Sequence, residues 1–335
     1  MGRAVTDARL LARALADPAS TAGLDGDGWT ALLTMARAEQ LIGTLAMRLR
    51  GLAMPPAVAR ILEDARSSAE HGRRAALWEA EMARRALAPL GCPVVLLKGT
   101  AFVAAGLLAG QGRSIGDLDI LVPRGDLDAV EAALLAAGWE WVKPDPYDDE
   151  YYRRWMHELP PLIHRERDRM IDVHHTILPP TARVTPDAAA LIAARADLAN
   201  GLSVLSANDM IVHAAAHLFA DGDLAGGLRN LWDIRCLVEE FGTDGLGTRA
   251  AHHGLSNEVA RSLRLVASVL DGAAAGGGDR FYIRRLLARD GWGRPTRTIT
   301  RFVFYVRSHW LRMPPTMLAR HLWIKWRKAS SSSRA

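Results

Sequence analysis

Residues 112–122 read Gly-Arg-Ser-Ile-Gly-Asp-Leu-Asp-Ile-Leu-Val, and this stretch decides the fold that the sequence predicts. Its glycines and serine are typical of a loop, whereas its second half alternates between acidic and apolar side chains. Because successive side chains of a strand point to opposite faces, Asp117 and Asp119 should project side by side from one face. The stretch therefore predicts a strand that presents two carboxylates together.

A short apolar run and a glycine turn precede this strand. Residues 93–97 read Pro-Val-Val-Leu-Leu, which predicts a buried strand. The turn at Lys98 and Gly99 should lead into a helix over about 100–108. Backbone N–H groups at Gly99 and Thr100, with the N-terminus of that helix, can hold the β- and γ-phosphates of a nucleotide. Lys98 is one of only four lysines in the chain, and it either contacts phosphate or caps the strand end.

A third carboxylate follows on a later strand. In the segment 170–174, alternation puts Asp172 and His174 on one face of a predicted strand. Asp117 and Asp119 can jointly bridge two Mg²⁺ ions, or Mn²⁺, about 3.5 to 4 Å apart. Asp172 can complete the ligands of the second ion and help to deprotonate an acceptor hydroxyl.

Each of these assignments has a plainer alternative. The two neighbouring carboxylates could lie on a solvated edge, but apolar flanking residues favour an internal strand, where paired carboxylates repel each other and need a cation. Asp172 could form a surface salt bridge with a neighbouring arginine. Arg113 either touches the triphosphate or pairs with a carboxylate and holds the loop. Asp233 is predicted to pair with Arg229, one helical turn away, or with the nearby Arg235, rather than to bind metal.

Three motifs together resemble the nucleotidyltransferase superfamily, whose fold is that of the DNA polymerase beta-like proteins. They are Leu-Leu-Lys-Gly-Thr-Ala-Phe at 96–102, Arg-Ser-Ile-Gly-Asp-Leu-Asp-Ile-Leu-Val at 113–122 and Met-Ile-Asp-Val-His-His at 170–175. With the later His213-x-x-x-His217 and Leu231-Trp232-Asp233-Ile234, they are similar to a family of uncharacterised bacterial nucleotidyltransferases. The similarity extends over about residues 90–240.

The resemblance implies an α/β (α+β) fold, in which a small mixed sheet forms the catalytic core and large helical regions flank it. Gly99 then takes the role of the turn glycine, and the carboxylate roles fall on Asp117, Asp119 and Asp172. Two departures affect the phosphate pocket. Thr100 stands where the superfamily usually has Ser or Gly, and the gap between Gly99 and Asp117 is longer than in compact members.

The histidines are weaker candidates. His213 and His217 share a helix face at metal-ligand spacing, but three alanines separate them, so the His-Glu-x-x-His pattern of zinc proteases is absent. A packed pair that lines an acceptor pocket is favoured over zinc. His174 and His175 directly follow the third carboxylate strand, and either one orients the reacting groups or is a satisfied strand histidine. His157 is a fainter candidate.

The composition suits a large folded protein. With 335 residues, about half of them apolar, we expect an N-terminal helical region over 1–90, the catalytic core over 91–205 and a C-terminal helical region with a basic tail over 206–335. The polar segment 144–155 should be an irregular insertion, and the last helix should span 296–327. Two cysteines cannot form a disulfide framework. The sequence has neither a long apolar run nor a signal-peptide pattern, which predicts a cytoplasmic location.

The net charge of +5 hides an asymmetry between body and tail. From Arg280 onward, 14 Lys and Arg face the single acid Asp290, so this segment carries +13 and the preceding residues carry −8. Such a segment, with tryptophans among its arginines, could meet the phosphate backbone of a nucleic acid or an anionic membrane surface. The alternative is an amphipathic helix packed on the acidic body.

These observations favour a metal-dependent enzyme that moves a nucleoside monophosphate from an NTP to a hydroxyl or phosphate, releasing pyrophosphate. The acceptor is a small molecule, a peptide or protein, or RNA. Two other functions remain open at this point. One is a metal-dependent phosphotransferase that uses the same core to move the γ-phosphate. The other is a non-catalytic nucleotide-binding or interaction protein.

Overall fold

A seven-stranded mixed sheet lies at the centre of the fold. The computed structural model describes residues 7–142, 146–312 and 323. The strands are β1 (Val95–Leu96), β2 (Asp117–Leu121), β3 (Trp139–Trp141), β4 (Leu162–His164), β5 (Met170–His174), β6 (Ala196–Asp197) and β7 (Ser203–Val204). Their order across the sheet is β3-β4-β5-β2-β1-β7-β6. The predicted fold class, a small mixed sheet between helical regions, is confirmed.

The central neighbours β2 and β5 run parallel and fix the position of the site. Their register places Asp117 beside Met170 and Asp119 beside Asp172. The apolar residues that alternate with the acids, such as Ile120 and Val173, are buried in the core. The hydrophobic pattern therefore sets which face carries the carboxylates, because a slip of one residue would exchange the faces.

Fourteen α-helices surround the sheet among the residues that the structure describes. They are α1 (Arg9–Ala16), α2 (Gly26–Ala38), α3 (Ile42–Arg48), α4 (Pro56–Leu87), α5 (Lys98–Ala104), α6 (Leu127–Ala136), α7 (Pro146–Trp155), α8 (Ala188–Ala193), α9 (Ala207–Ala216), α10 (Gly227–Phe241), α11 (Leu246–His252), α12 (Ser256–Val269), α13 (Asp279–Leu286) and α14 (Thr298–Arg312). One contiguous apolar core joins the helices to the sheet. No helix in the described ranges is long and apolar enough to cross a bilayer.

The prediction of an irregular insertion over 144–155 was wrong, because α7 occupies most of it. An ion-pair network explains the helix. Arg153 bonds Asp149 one turn earlier at 2.9 Å and reaches Glu131 on α6 at 2.8 Å. The pair with Asp149 supports the helix from within, and the pair with Glu131 attaches it to α6. The last predicted helix, 296–327, is found over Thr298–Arg312, and its remainder lies outside the described residues apart from Trp323.

The N-terminal helices pack directly on the loop that leads into β2. Gly43 at the start of α3 lies against Gly112, and a Cβ atom on either glycine would overlap the main-chain carbonyl of the other. Gly112 also has a φ of 65°, which favours glycine. The two main chains therefore lie too close for any residue with a Cβ atom at either position. This contact with α3 fixes the start of the loop.

Candidate active site

Three carboxylates meet at the centre of the sheet. Asp117 and Asp119 project from β2, and Asp172 projects from the neighbouring strand β5, directly beside Asp119. One carboxylate oxygen from each of the three lies within 4.8 Å of the others. Asp117 is exposed, Asp172 is half-buried and Asp119 is buried, so the cluster opens to solvent at one end. The structure thus brings together the three acids that the sequence singled out.

Two donors hold Asp119 in place. The Nζ atom of Lys98 lies 2.6 Å from Asp119 Oδ1, and Nε2 of His174 lies 2.9 Å from the same oxygen. Burial acts to raise the pKa of Asp119, but the Lys98 ammonium and the His174 ring hold that pKa well below its usual range. Both donors take Oδ1, so Oδ2 is the oxygen that can ligate a cation.

Lys98, which pairs with the carboxylate of Asp119, has an uncommon backbone conformation. It begins α5 with a φ of 49°, in the left-handed region that a non-glycine residue seldom adopts. Burial opposes its charge, yet the nearby carboxylates, Asp119 first among them, raise the pKa of Lys98 above its usual value. Lys98 is therefore a cation in the carboxylate cluster, and a contact between Lys98 and phosphate stays a prediction.

The pKa of Asp172 moves the other way. Burial, followed by the charges of Asp119 and Glu158, raises the pKa of Asp172 to about 7. The cluster thus contains one firmly ionised carboxylate and one that holds a proton near neutral pH. A divalent cation would relieve this repulsion.

Gly99 and Arg113 fit against each other. A Cβ atom at Gly99 would lie 2.5 Å from Nε of Arg113, so glycine makes room for this side chain. The guanidinium of Arg113 bonds the Asp233 carboxylate and lies over the Phe102 ring, 5.4 Å from its centroid. Of the two sequence-based alternatives for Arg113, the structure contains the carboxylate pair, and contact with a triphosphate stays a prediction.

Asp233 joins the site to the N-terminal helices. Its second oxygen, Oδ1, forms an ion pair with Arg229 at a distance of 3.0 Å, one of the two pairings that the sequence predicted. Arg229 also donates to the Thr44 hydroxyl at 2.6 Å and to the Ala109 carbonyl at 3.1 Å. These contacts link α10, α3 and the residues just before Arg113. The position of Arg113 therefore depends on all three parts of the chain.

Thr100 lies inside the protein beside the turn. Its side chain is buried, and no residue in the described ranges offers its Oγ1 atom a hydrogen-bond partner. A buried hydroxyl without a partner is costly, which makes it a candidate group for binding a ligand. This observation fits the predicted phosphate cradle at Gly99 and Thr100 without testing it.

Two of the predicted histidines lie together in the chain, His213 on α9 and His217 directly after it. His213 is fully enclosed, and burial, with further effects from Lys98 and the rings of His217 and His174, lowers its pKa well below the usual value. It is therefore a neutral ring packed behind the cluster. His217 begins a single π-helical turn that follows α9. In the part of the chain that the structure describes, neither His213 nor His217 belongs to a group of three metal-capable side chains, so the zinc alternative gains no support.

Sequence reasoning missed Glu158 and underrated His157. Glu158 pairs with His174 as an isolated antiparallel bridge alongside β5, and its Oε2 atom lies 3.4 Å from Nδ1 of His174. One ligand atom each from His157, Glu158 and His174 lies within 4.8 Å of the others. The adjacent His157-Glu158 pair was the available signal, but no strand pattern marks these residues.

A groove of about 480 Å³ lies close to the carboxylates. Its lining includes Ser114 and Ile115, which directly precede β2, and Arg169, which directly precedes β5. Arg37 and His71 contribute from α2 and α4. The groove thus runs between the N-terminal helices and the residues that precede the two acid-bearing strands, and its charged lining is two arginines, Arg37 and Arg169, and the carboxylate of Asp64.

Comparison with known proteins gives one match. A family model described as "Uncharacterised nucleotidyltransferase" matches residues 25–271, which include every residue of the carboxylate cluster. The match begins in the N-terminal helices and ends before α13, so it leaves the basic C-terminal segment outside. No curated protein matches the chain.

Proposed function

Since the chain belongs to the family of uncharacterised nucleotidyltransferases, we propose that it transfers a nucleoside monophosphate from an NTP to an acceptor. The acceptor group is a hydroxyl or a phosphate, and pyrophosphate is the second product. The observation that carries this proposal is the convergence of Asp117, Asp119 and Asp172 within 4.8 Å of one another.

The donor set of this cluster suits Mg²⁺ or Mn²⁺. Both cations prefer oxygen ligands, and three carboxylates at the open end of a sheet supply them. When bound, the metal neutralises charge on the triphosphate and makes the attacking oxygen a better nucleophile. Asp119, held by Lys98 and His174, keeps a fixed ligand oxygen for it. Asp117, at the exposed end of the cluster, would supply a further oxygen ligand to such a cation.

Asp172 has the properties of a group that accepts a proton. In the metal-free protein its pKa is raised to about 7, by burial first and then by the charges of Asp119 and Glu158, so it exchanges a proton readily. Its place on β5, beside Asp119, puts it next to the metal ligands. We assign to Asp172 a double role, as a ligand and in deprotonating the acceptor hydroxyl.

The phosphates would lie at the turn before α5. The first-turn amides at Gly99 and Thr100 are of the kind that bind anions, and the buried Thr100 hydroxyl adds one donor. Arg113 lies against this turn. The groove beside Ser114 and Arg169 then has room for another part of the NTP or of the acceptor.

The acceptor is the part of the reaction that the family does not define. His174, His213 and His217 are the side chains that we place nearest to it. The +13 segment from Arg280 onward lies outside the family match, so an anionic acceptor such as RNA would be a property added to the family core. Binding to RNA through phosphates would weaken steeply between low and moderate salt, whereas a salt-independent affinity would exclude RNA.

Labelled nucleotides test the reaction. The full chain, incubated with Mg²⁺, a cell extract and NTPs labelled at the α-phosphate, should attach the label to an acceptor and release pyrophosphate. Transfer of a γ-label with release of a nucleoside diphosphate would establish the phosphotransferase alternative. Binding of NTP without transfer of either label would establish a non-catalytic protein. The Asp117→Asn variant serves as the negative control.

A further inference from the structure

A second group of metal-capable side chains lies beside the carboxylate cluster. One ligand atom from each of His157, Glu158 and His174 lies within 4.8 Å of the other two. His157 and His174 are buried, the Glu158 side chain is 19% exposed, and the two rings lie with their centroids 5.2 Å apart. The group differs in chemistry from the three aspartates, because it contains two imidazoles and only one carboxylate.

The contact with Asp119 determines which ring nitrogen of His174 faces this group. Oδ1 of Asp119 accepts from the Lys98 ammonium at 2.6 Å, and Nε2 of His174 lies 2.9 Å from the same oxygen and is placed to donate to it. The other nitrogen, Nδ1, faces Glu158 Oε2 at 3.4 Å. Nδ1 is thus the nitrogen of His174 that Asp119 does not occupy, and its 3.4 Å separation from Glu158 Oε2 suits two ligand atoms of one cation.

This arrangement matches the surroundings of metal-bound histidines in general. A ligating imidazole usually donates its second N–H to a carboxylate, which fixes the tautomer and strengthens the ligand. Asp119 plays that part for His174. Imidazole ligands suit zinc and the related transition metals, whereas sites made of carboxylates alone suit magnesium and manganese.

We propose that His157, Glu158 and His174 bind one divalent cation of the zinc class, separate from the ions of the carboxylate cluster. Three protein ligands of this kind leave a further coordination position for water. The cation would hold the His174 ring, and through it Asp119, in one orientation. This inference does not rest on which phosphoryl group the protein transfers, because it concerns ligands that lie outside the three aspartates.

Metal binding tests the proposal directly. The full chain, freed of metal with a chelator, is dialysed against Zn²⁺ in the presence of a large excess of Mg²⁺, and bound zinc is measured by mass spectrometry. We expect one Zn²⁺ per chain. The variants His157→Ala and Glu158→Gln should each bind it at least about 100-fold more weakly. Co²⁺ in place of Zn²⁺ should give visible absorption bands in the wild type that disappear in both variants.

The controls separate this site from the carboxylate cluster. Asp117→Asn should keep the zinc while losing nucleotidyl transfer, and His252→Ala, which removes an exposed imidazole elsewhere, should change neither. Glu158→Gln preserves the size of a partly exposed side chain, so it tests the site even where His157→Ala does not fold. Wild-type protein without stoichiometric zinc, or a Glu158→Gln variant that binds zinc as tightly as wild type, would overturn the proposal.

Discussion

Asp119 and Asp172 are direct neighbours in the parallel pair of β2 and β5, yet the structure shifts the pKa of their carboxyl groups in opposite directions. Lys98 and His174 both donate to Asp119, which keeps it ionised. Asp172 is half-buried beside that fixed negative charge and Glu158, and burial together with these charges raises its pKa to about 7. A cation that binds the cluster at neutral pH therefore competes with a proton for Asp172.

The substitution Asp172→Asn should stabilise the metal-free protein at pH 8. A folded-state pKa of about 7, above the usual 3.8, means that the folded protein keeps a proton that the unfolded chain has lost. Stability therefore falls as the pH rises from about 4 through about 7, and the full penalty is present above that range. Asparagine removes the penalty, so the free energy of unfolding at pH 8 should rise by about 1–3 kcal/mol.

Urea unfolding in the presence of a chelator measures this effect. At pH 4 the variant and the wild type should be nearly equal, because Asp172 is protonated in the folded protein. Asp128→Asn, at an exposed carboxylate on α6, is the matched control and should show no such pH dependence. An Asp172→Asn protein that is less stable than wild type at pH 8 would show that the carboxylate is not under repulsion.

The substitution Asp117→Asn should remove catalysis and leave the fold intact. Asp117 is exposed, so its replacement by an isosteric amide disturbs no packing, but it removes a charged metal ligand. We expect Mg²⁺-dependent transfer to fall by at least about 1000-fold, with a melting temperature close to that of the wild type. Asp128→Asn changes the net charge equally and should keep full activity. Activity retained by Asp117→Asn would contradict the metal site.

The substitution Lys98→Met should destabilise the metal-free protein, and Mg²⁺ should restore part of the loss. Methionine keeps the length of the side chain without its charge, and it leaves the buried Asp119 with one donor in place of two. Removing one partner of such an ion pair, in which Asp119 is buried, costs about 2–5 kcal/mol. A divalent cation at the cluster replaces the missing charge, so the melting temperature of the variant should rise more with added Mg²⁺ than that of wild type. An equal rise in both would argue against a cation beside Asp119.

The effects of Gly99→Ala and Arg113→Ala should not add. A Cβ atom at position 99 would lie 2.5 Å from Nε of Arg113, whose guanidinium is fixed by Asp233. Gly99→Ala should therefore displace Arg113 and lower kcat by about 10-fold or more. With Arg113→Ala already present, the three atoms nearest to the added methyl group are gone, so the double variant should be no less active than Arg113→Ala alone. Steady-state kinetics of all four proteins provide the test, and additive losses would contradict the contact.

The parts of the site that the sequence predicted are those set by local alternation. In both β2 and β5, acids alternate with apolar residues that must enter the core, so the carboxylates of each strand are forced onto the opposite face. The parallel pairing of the two strands did not follow from that pattern. The strand Met170–His174 has the bounds that its alternation indicated.

Contacts between residues far apart in the chain could not be predicted from local sequence patterns. Lys98 and Asp119 are 21 residues apart, and Arg113 and Asp233 are 120 apart, and no periodicity connects such pairs. Lysine before a glycine turn suggested phosphate, because a local pattern cannot reveal a carboxylate supplied by the next strand. Glu158 was overlooked for a similar reason, since only a single bridge to His174 brings it to the site.

The close approach of Gly43 and Gly112 has a consequence for shortened versions of the protein. A shortened protein that begins at residue 91, just before β1, would lack Gly43. It would therefore lose the main-chain contact that holds the loop in front of β2. That loop carries Arg113, and Thr44 next to Gly43 anchors Arg229. Fragments trimmed to the catalytic strands should consequently be poorly soluble or inactive, and the shortest useful clone should begin upstream of α3.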